Sequence, residues 1–173
     1  MATKKSIWVL FGILVISAWV LGSVIEARAE TMKCRTAHMS TKRDTMPVPD
    51  EEGHVLGLSI TEGLSFFENG EIAKMASYVA LDSVPQKGNQ SMGYTFYTFG
   101  DGSTIVVRFQ RVMVPDTSGN FSAKTTTEIT KGTGRFGGIK GTTSSTGKAF
   151  PGSKGEAYRY TDDVTFTYTL PPK

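Results

Sequence analysis

Few side chains in this sequence could do chemistry, and the two histidines come first among them. His38 and His54 are the only ones in the chain. An imidazole exchanges its proton near neutral pH, so a histidine can act as a general base or as a polar anchor for a ligand. His54 alternates with Leu56, Leu58 and Ile60, which would put it on one strand face among apolar side chains. We therefore take His54 as the better candidate, with a structurally bonded histidine as the alternative.

The last apolar segment, residues 157–170, puts a carboxylate among aromatic rings. Tyr158, Tyr160 and Asp162 share one side of a period-two pattern that continues through Phe166 and Tyr168. A carboxylate in such surroundings can have a raised pKa and act as an acid or a base. Tyr158, Tyr160 and Asp162 are therefore candidate ligand-binding residues. The alternative is a bulge that turns Asp162 outward.

An arginine that binds a carboxylate is the next candidate, and its placement depends on the register of one hairpin, residues 93–114. In one register Tyr94, Phe96 and Arg108 face a barrel interior. In the other, the odd-numbered residues from Thr95 to Phe99 meet those from Ile105 to Phe109 inside. That second set is more apolar and better suited to a core, which would leave Arg108 outside or at a rim. Tyr94, Phe96 and Arg108 remain candidate ligand-binding residues.

Familiar catalytic and cofactor motifs are absent or incomplete. No group of Cys, His, Asp and Glu has metal-ligand spacing, so no metal is expected. The sequence also shows no recognisable nucleophile–base set. Residues 132–137 fit the pattern GxGxxG, but poor helix formers follow where a dinucleotide loop needs a helix. Residues 141–148 depart from phosphate-loop spacing, and Ala149 stands where a Ser or Thr would hold magnesium. We expect no cofactor.

The N-terminal segment has the pattern of a secretory signal. A basic start with Lys4 and Lys5 precedes an apolar run, residues 7–24, and Ala27 and Ala29 suit a cleavage site. We predict a signal peptide over residues 1–29 and one domain over residues 30–173. The domain is expected to be periplasmic or secreted. Because the apolar run is long, a retained membrane anchor is the alternative. Most of the net charge of +3 belongs to this segment, so no nucleic-acid partner is expected.

Strand signals fill the rest of the chain. Aromatic and β-branched runs alternate with turns at residues 68–71, 100–103 and 115–120. We predict a first strand over residues 32–39, a loop over residues 40–52, a polar connection over residues 82–92, and a strand in preference to a short helix over residues 72–81. About eight strands with hairpin links predict an antiparallel barrel or sandwich.

The glycine-rich stretch between two late strands carries a family resemblance. Residues 132–141, GTGRFGGIKG, resemble the GTG-[KR]-F-x-G-x-x-G segment of allene oxide cyclase-like and dirigent-like β-barrels. The hairpin turn at residues 99–104 and the closing aromatic strand stand in the order such a barrel would have. The whole domain is similar to small exported bacterial members of that superfamily. The resemblance implies a single eight-stranded antiparallel barrel with a partly apolar cavity, often assembled as a trimer, and it transfers no catalytic residue.

These observations lead to three functional hypotheses. The first is a non-catalytic barrel that binds a small, largely apolar molecule, because inward aromatic sequence is abundant and no catalytic constellation is visible. The second is an isomerase-like enzyme of the allene oxide cyclase or dirigent type, which steers a reactive lipid-like or phenolic intermediate by shape. The third is a structural barrel filled by its own side chains. A buried ionisable residue inside the barrel would favour the enzyme over the binder.

Overall fold

The chain forms long β-strands joined mostly by short turns. The computed structural model describes residues 28–85, 87–115, 121–150 and 159–172. The strands are β1 (Glu30–Pro47), β2 (Val55–Phe67), β3 (Ile72–Val84), β4 (Gly88–Phe99), β5 (Thr104–Pro115), β6 (Phe121–Thr133), β7 (Lys140–Phe150) and β8 (Arg159–Thr169). One short 3-10 turn, η1 (Gly134–Phe136), links β6 to β7. Among the described residues, no helix combines the length and the hydropathy that crossing a bilayer requires.

The eight strands close into one antiparallel barrel. Each strand pairs with the next along the chain, and β1 pairs with β8. This last ladder runs from Glu30 opposite Tyr168 to Met39 opposite Arg159. Closure pairs the two strands that an open sheet would leave as edges. The predicted fold class, an all-β eight-stranded antiparallel barrel, is confirmed; residues 1–27 of the predicted signal segment, and Tyr158, lie outside the described residues.

Two predicted loops are strands in the structure. β1 continues to Pro47, where the sequence predicted a loop from residue 40. β3 continues to Val84 and β4 begins at Gly88, so strands take up most of the predicted connection over residues 82–92. In both places a charged or polar segment lies against a long partner strand, and the partner's ladder imposes the extended conformation. A bulge between Ser40 and Lys42 adjusts the register of β1 to β2. The prediction of a strand over residues 72–81 is confirmed.

The apolar core fills the half of the barrel next to η1. Its buried members come from β1 to β6, from β8, and from η1 and the residues after it: Cys34, Phe67, Ala73, Met75, Tyr97, Phe99, Ile105, Val107, Ile129, Phe136, Ile139, Val164, Phe166 and Tyr168. Phe166 is fully buried and meets the edge of Tyr97 with ring centroids 5.1 Å apart. Each large apolar side chain buried in this way stabilises the fold by about 1.5–3 kcal/mol. This half of the interior is therefore filled by the protein's own side chains.

The glycine-rich stretch closes this end of the barrel. Gly134 has φ +60°, a conformation that suits glycine, and the turn that follows buries Phe136. The guanidinium of Arg135 lies over the ring of Phe99 with Cζ 4.9 Å from its centroid, and Nη2 lies 2.6 Å from Oε1 of Glu71. Nη1 of Arg135 lies 3.5 Å from Oδ2 of Asp101. One arginine thus joins η1 to the β2–β3 and β4–β5 turns, and we call this the capped end.

The seam between β6 and β7 differs from the other seams. Its register comprises one pair, Ile129 with Gly141, whereas each other pair of neighbouring strands has a long ladder. Two residues from this pair, the side chain of Thr127 replaces the backbone as the partner of Thr143. Its Oγ1 donates to the carbonyl of Thr143 at 2.5 Å and accepts from the N–H of Thr143 at 2.7 Å. Ser145 is exposed although its partner on β8 faces the core. Few ladder bonds therefore join β6 to β7.

Candidate functional site

Beyond the core, the interior wall consists mostly of small polar residues. We call this region, toward the end opposite the capped end, the polar layer. It comprises the inward-facing residues His38, Ser40, Ser59, Thr61, Ser77, Ser91, Gly93, Thr95, Phe109, Arg111, Thr125, Thr127, Tyr160 and Asp162. Most of them keep part of their surface accessible although they face inward, whereas the core residues do not. Solvent therefore reaches the polar layer, and a small molecule could contact its walls.

A histidine–carboxylate pair is the centre of the polar layer. Nε2 of His38 on β1 lies 2.6 Å from Oδ2 of Asp162 on β8, and the two side chains are 12% and 22% exposed. The ring of Tyr160 stacks on the imidazole with centroids 5.1 Å apart and an interplanar angle of 18°. The register explains the meeting, because His38 lies opposite Tyr160, and Thr36, on the same face of β1, lies opposite Asp162. The aromatic stack and the short hydrogen bond together fix the orientation of the imidazole.

The second ring nitrogen of His38 has a different environment. Nδ1 is buried and, among the residues that the structure describes, has no hydrogen-bond partner. Because the Asp162 carboxylate only accepts hydrogen bonds, a neutral imidazole must carry its proton on Nε2 and a lone pair on Nδ1. An unpaired buried polar atom is unfavourable by about 1–3 kcal/mol. Nδ1 is therefore suited to accept a hydrogen bond, or a proton, from a bound molecule.

Hydroxyl groups line the interior around this pair. Oγ1 of Thr36 and Oγ of Ser65 lie 2.8 Å apart, and Oγ of Ser77 lies 2.7 Å from Oγ1 of Thr95. Each hydroxyl can turn to donate or to accept, so these groups can adapt to a ligand. Below them, burial above all, with nearby Cys34 and Asp162, raises the pKa of the Tyr97 phenol far above its usual range. Tyr97 is therefore a neutral part of the floor.

Arg111 faces His38 from the opposite wall. It shares the inward face of β5 with Val107 and Phe109, and Cζ lies 5.8 Å from the Phe109 ring centroid. Nε donates to Oγ1 of Thr125 at 3.3 Å, across the β5–β6 ladder. β1 and β5 are four strands apart in either direction around the barrel. The polar layer therefore carries an aromatic-stacked histidine on one side and a guanidinium on the other.

The structure places three of the predicted site residues on the outer surface. Tyr94 and Phe96 are 46% and 38% exposed, and Arg108 forms a surface ion pair with Glu128 at 2.7 Å. The second register of the hairpin is the one that forms, because it buries Tyr97, Phe99, Ile105 and Val107. Tyr94, Phe96 and Arg108 therefore cannot line the barrel interior. Arg108 lies outside the barrel, which was the alternative expectation for the register that forms.

The other predicted residues divide between the interior and the surface. Tyr160 and Asp162 face inward, as the alternation of β8 predicted. His54 precedes β2 on the outer side, where Nδ1 lies 2.5 Å from Asp50 and Nε2 lies 2.9 Å from Asp82. The hydrogen bond to Asp50 is the main cause that raises the pKa of His54, with Asp82 adding to it. His54 therefore ties the β1–β2 loop to β3 and does not reach the polar layer.

The outer face of β2 to β5 carries an apolar groove of about 610 Å³. Its lining includes the exposed side chains of Leu58, Tyr78, Met92 and Tyr94. Tyr78 meets the edge of Phe96 with ring centroids 5.7 Å apart. These exposed side chains point away from the barrel interior, although Ser59, Gly93 and Phe109 of the polar layer also border the groove.

Comparison with known proteins gives similarity of fold. No family model and no curated protein matches the chain. Among solved structures, the pterocarpan synthase dirigent protein PsPTS1 is 12% identical, with a TM-score of 0.48, over 84% of this chain and 97% of that one. The pterocarpan synthase dirigent protein GePTS1 is 12% identical, with a TM-score of 0.44, over 88% and 96%. Both of these structures are dirigent proteins, and each comparison extends over most of both chains at low identity.

Proposed function

We propose that this barrel binds a small, largely apolar molecule in the polar layer, without catalysis, through a hydrogen bond to His38. The observation that carries the proposal is Nδ1 of His38, which has no hydrogen-bond partner in the described part of the chain, while the other nitrogen is held by Asp162. A ligand hydroxyl or N–H that donates to Nδ1 would satisfy this buried atom. The stacked ring of Tyr160 and the ring of Phe109 offer aromatic surface to the apolar part of such a molecule.

The test uses the two histidines as reporters. Protein labelled with ¹⁵N-histidine is titrated with 4-methylphenol, which can donate a hydrogen bond, and with 4-methylanisole, which cannot. We expect 4-methylphenol to shift the Nδ1 resonance of His38 and to leave His54 unchanged, and 4-methylanisole to have little effect on Nδ1. His38→Gln should abolish binding of the phenol, and His54→Gln should not. An unchanged His38 resonance with both probes would refute the proposal.

A second candidate is an isomerase-like enzyme that moves a proton on its substrate. It is favoured by the pairing of Asp162 with an imidazole whose other nitrogen is available, which is the arrangement of an oriented general base. The probe is 5-nitrobenzisoxazole, whose C–H proton passes to a base while the ring N–O bond breaks and a coloured phenolate forms. A rate that falls at least 100-fold in His38→Gln would favour the enzyme. A wild-type rate no higher than that of free imidazole would favour the binder.

Export and self-association are parts of the same proposal. The leader pattern supports cleavage after Ala29, and N-terminal sequencing of the protein from its own host tests it. The apolar groove supports self-association, because Leu58, Tyr78 and Tyr94 expose apolar area while Lys42, Asp44 and Arg108 give its rim both signs of charge, and the family resemblance implies a homotrimer. Light scattering after size exclusion should give a trimeric mass that Tyr94→Lys reduces. A monomeric mass for the wild type would contradict this part.

A further inference from the structure

The polar layer contains a guanidinium whose partner on the neighbouring strand does not neutralise it. Arg111 faces inward on β5 and is partly buried, and its cross-strand partner is the neutral Thr125. By contrast, Arg108 on the outer surface and Arg135 at the capped end each lie against a carboxylate. Arg111 bonds to Thr125 through Nε, so the two Nη groups at the outer edge of the guanidinium are not used in that bond.

The cross-strand rows place Arg111 near the level of the histidine. Arg111 pairs with Thr125, the β6–β7 register leads from Thr125 to Ser145, and Ser145 pairs with Val164, two residues from Asp162. The bonds between Thr127 and Thr143 keep this register beyond the single ladder pair. Strands in such barrels tilt by about 35–45°, so this row of paired residues runs obliquely around the wall. From Val164 on β8 to Arg111 on β5 the row moves away from the capped end. Arg111 and His38 thus face each other across the polar layer.

We propose that the ligand of this site is an organic anion, and that Arg111 binds its carboxylate while His38 accepts a hydrogen bond from its opposite end. The proposal rests on the proposed binding function of the same site. A planar guanidinium presents parallel N–H groups that match the two oxygens of a carboxylate, which an ammonium or a hydroxyl does not. Phe109, in contact with the guanidinium, and Tyr160, in contact with the imidazole, would hold the apolar middle of the molecule.

The surface arginine of the same strand supplies the matched control. Arg108 and Arg111 are three residues apart on β5 and face opposite sides of the wall. Arg108 is neutralised by Glu128, so its removal should not affect an interior ligand. Arg111→Met removes the charge and keeps an apolar side chain of similar length. A role of Arg111 in folding alone would lower binding of charged and uncharged ligands equally.

The experiment compares an acid with its own ester by isothermal calorimetry. The probes are 3-(4-hydroxyphenyl)propanoate and its methyl ester, which share the ring and the phenolic hydroxyl and differ in charge. We expect the wild type and Arg108→Met to bind the acid at least 10-fold more tightly than the ester, and Arg111→Met to lose that preference while still binding the ester. Equal affinity for acid and ester in the wild type would overturn the role of Arg111 and leave the binding function standing. If neither probe binds, the binding function fails and the anion proposal fails with it.

Discussion

The carboxylate of Asp162 occupies the space that a side chain at position 147 would need. Gly147 on β7 lies opposite Asp162 on β8, and a Cβ built on Gly147 would overlap Oδ1 and lie 2.8 Å from Cγ of that carboxylate. It would also lie 2.9 Å from the carbonyl oxygen of Thr161. The missing side chain leaves room for the carboxylate of Asp162 where it reaches His38. A glycine on β7 therefore positions the pair that forms the centre of the site.

Gly147→Ala should therefore disturb the site through Asp162. We expect a loss of about 1–3 kcal/mol in the free energy of unfolding, because the new methyl group displaces the carboxylate. The measurement is urea unfolding, together with the NMR resonances of the His38 imidazole. Gly100→Ala is the control, since a Cβ at position 100 meets nothing within 4 Å. In an Asp162→Ala background the loss should shrink, and a loss that persists there in full would contradict this explanation.

Asp162 and Asp163 are neighbours in sequence whose removal should differ in effect. Asp162 is 22% exposed and bonds to His38, whereas Asp163 is 60% exposed and bonds to Arg35 on the outer surface. We expect Asp162→Asn to destabilise the fold by about 1.5–3 kcal/mol, the usual value for a hydrogen bond to a charged group. Asp163→Asn should change stability much less, because exposed ion pairs contribute little. Equal urea midpoints for the two variants would refute the contrast.

Arg135 should stabilise the capped end more than a surface arginine stabilises the wall. Arg135 and Arg108 both form ion pairs, at 2.6 and 2.7 Å, but only Arg135 also lies over the rings of Phe99 and Phe136. We expect Arg135→Gln to lower the free energy of unfolding by about 1–2 kcal/mol and Arg108→Gln by about 0–0.5 kcal/mol. Thermal unfolding followed by near-ultraviolet circular dichroism measures both. A larger loss for Arg108→Gln would show that stacking is not the difference.

The stability contributed by His54 should depend on pH in a defined window. Its pKa is raised above the ordinary value of 6.5, so its contribution is fully present below that value and is lost as the pH rises through the raised pKa. The same bond lowers the pKa of Asp50 below 3.8, so that contribution is lost as the pH falls through the lowered pKa. We expect the stability difference between wild type and His54→Gln to be larger at pH 6 than at pH 9. A difference that does not change between these pH values would contradict the assignment.

The parity of residues along strands predicted much of the fold and part of the site. The regular alternation of β8 predicted Tyr160 and Asp162 on the same inner face, with a bulge that turns Asp162 outward as the alternative. The alternation of β5 also excludes Arg108 from the interior in the register that forms. The same alternation would have placed Arg111 inside, because Arg111 follows Val107 and Phe109 on the inward face. This was the signal that sequence reasoning missed.

The central histidine could not be found in the same way. β1 alternates small and polar residues on its inner face, from Cys34 through Thr36 to His38, and such a pattern does not distinguish the inside from the outside. Its partner Asp162 lies 124 residues away and meets it only because the first and last strands pair. The pairing depends on closure of the whole barrel, which no local pattern specifies. His54 was therefore the better candidate by its apolar neighbours, although those neighbours face solvent.

The unequal seams decide where this molecule opens first. Terminal segments fray first in most domains, but here the first and last strands are paired from Glu30 to Met39 of β1, and the shortest ladder lies between β6 and β7, which are consecutive in the chain. Thermal opening should therefore begin between β6 and β7 and not between the first and last strands. Amide protons on the edges of β6 and β7 that face each other should exchange with deuterium before those of β1 and β8. The paired first and last strands of this protein would then be among its slowest parts to exchange.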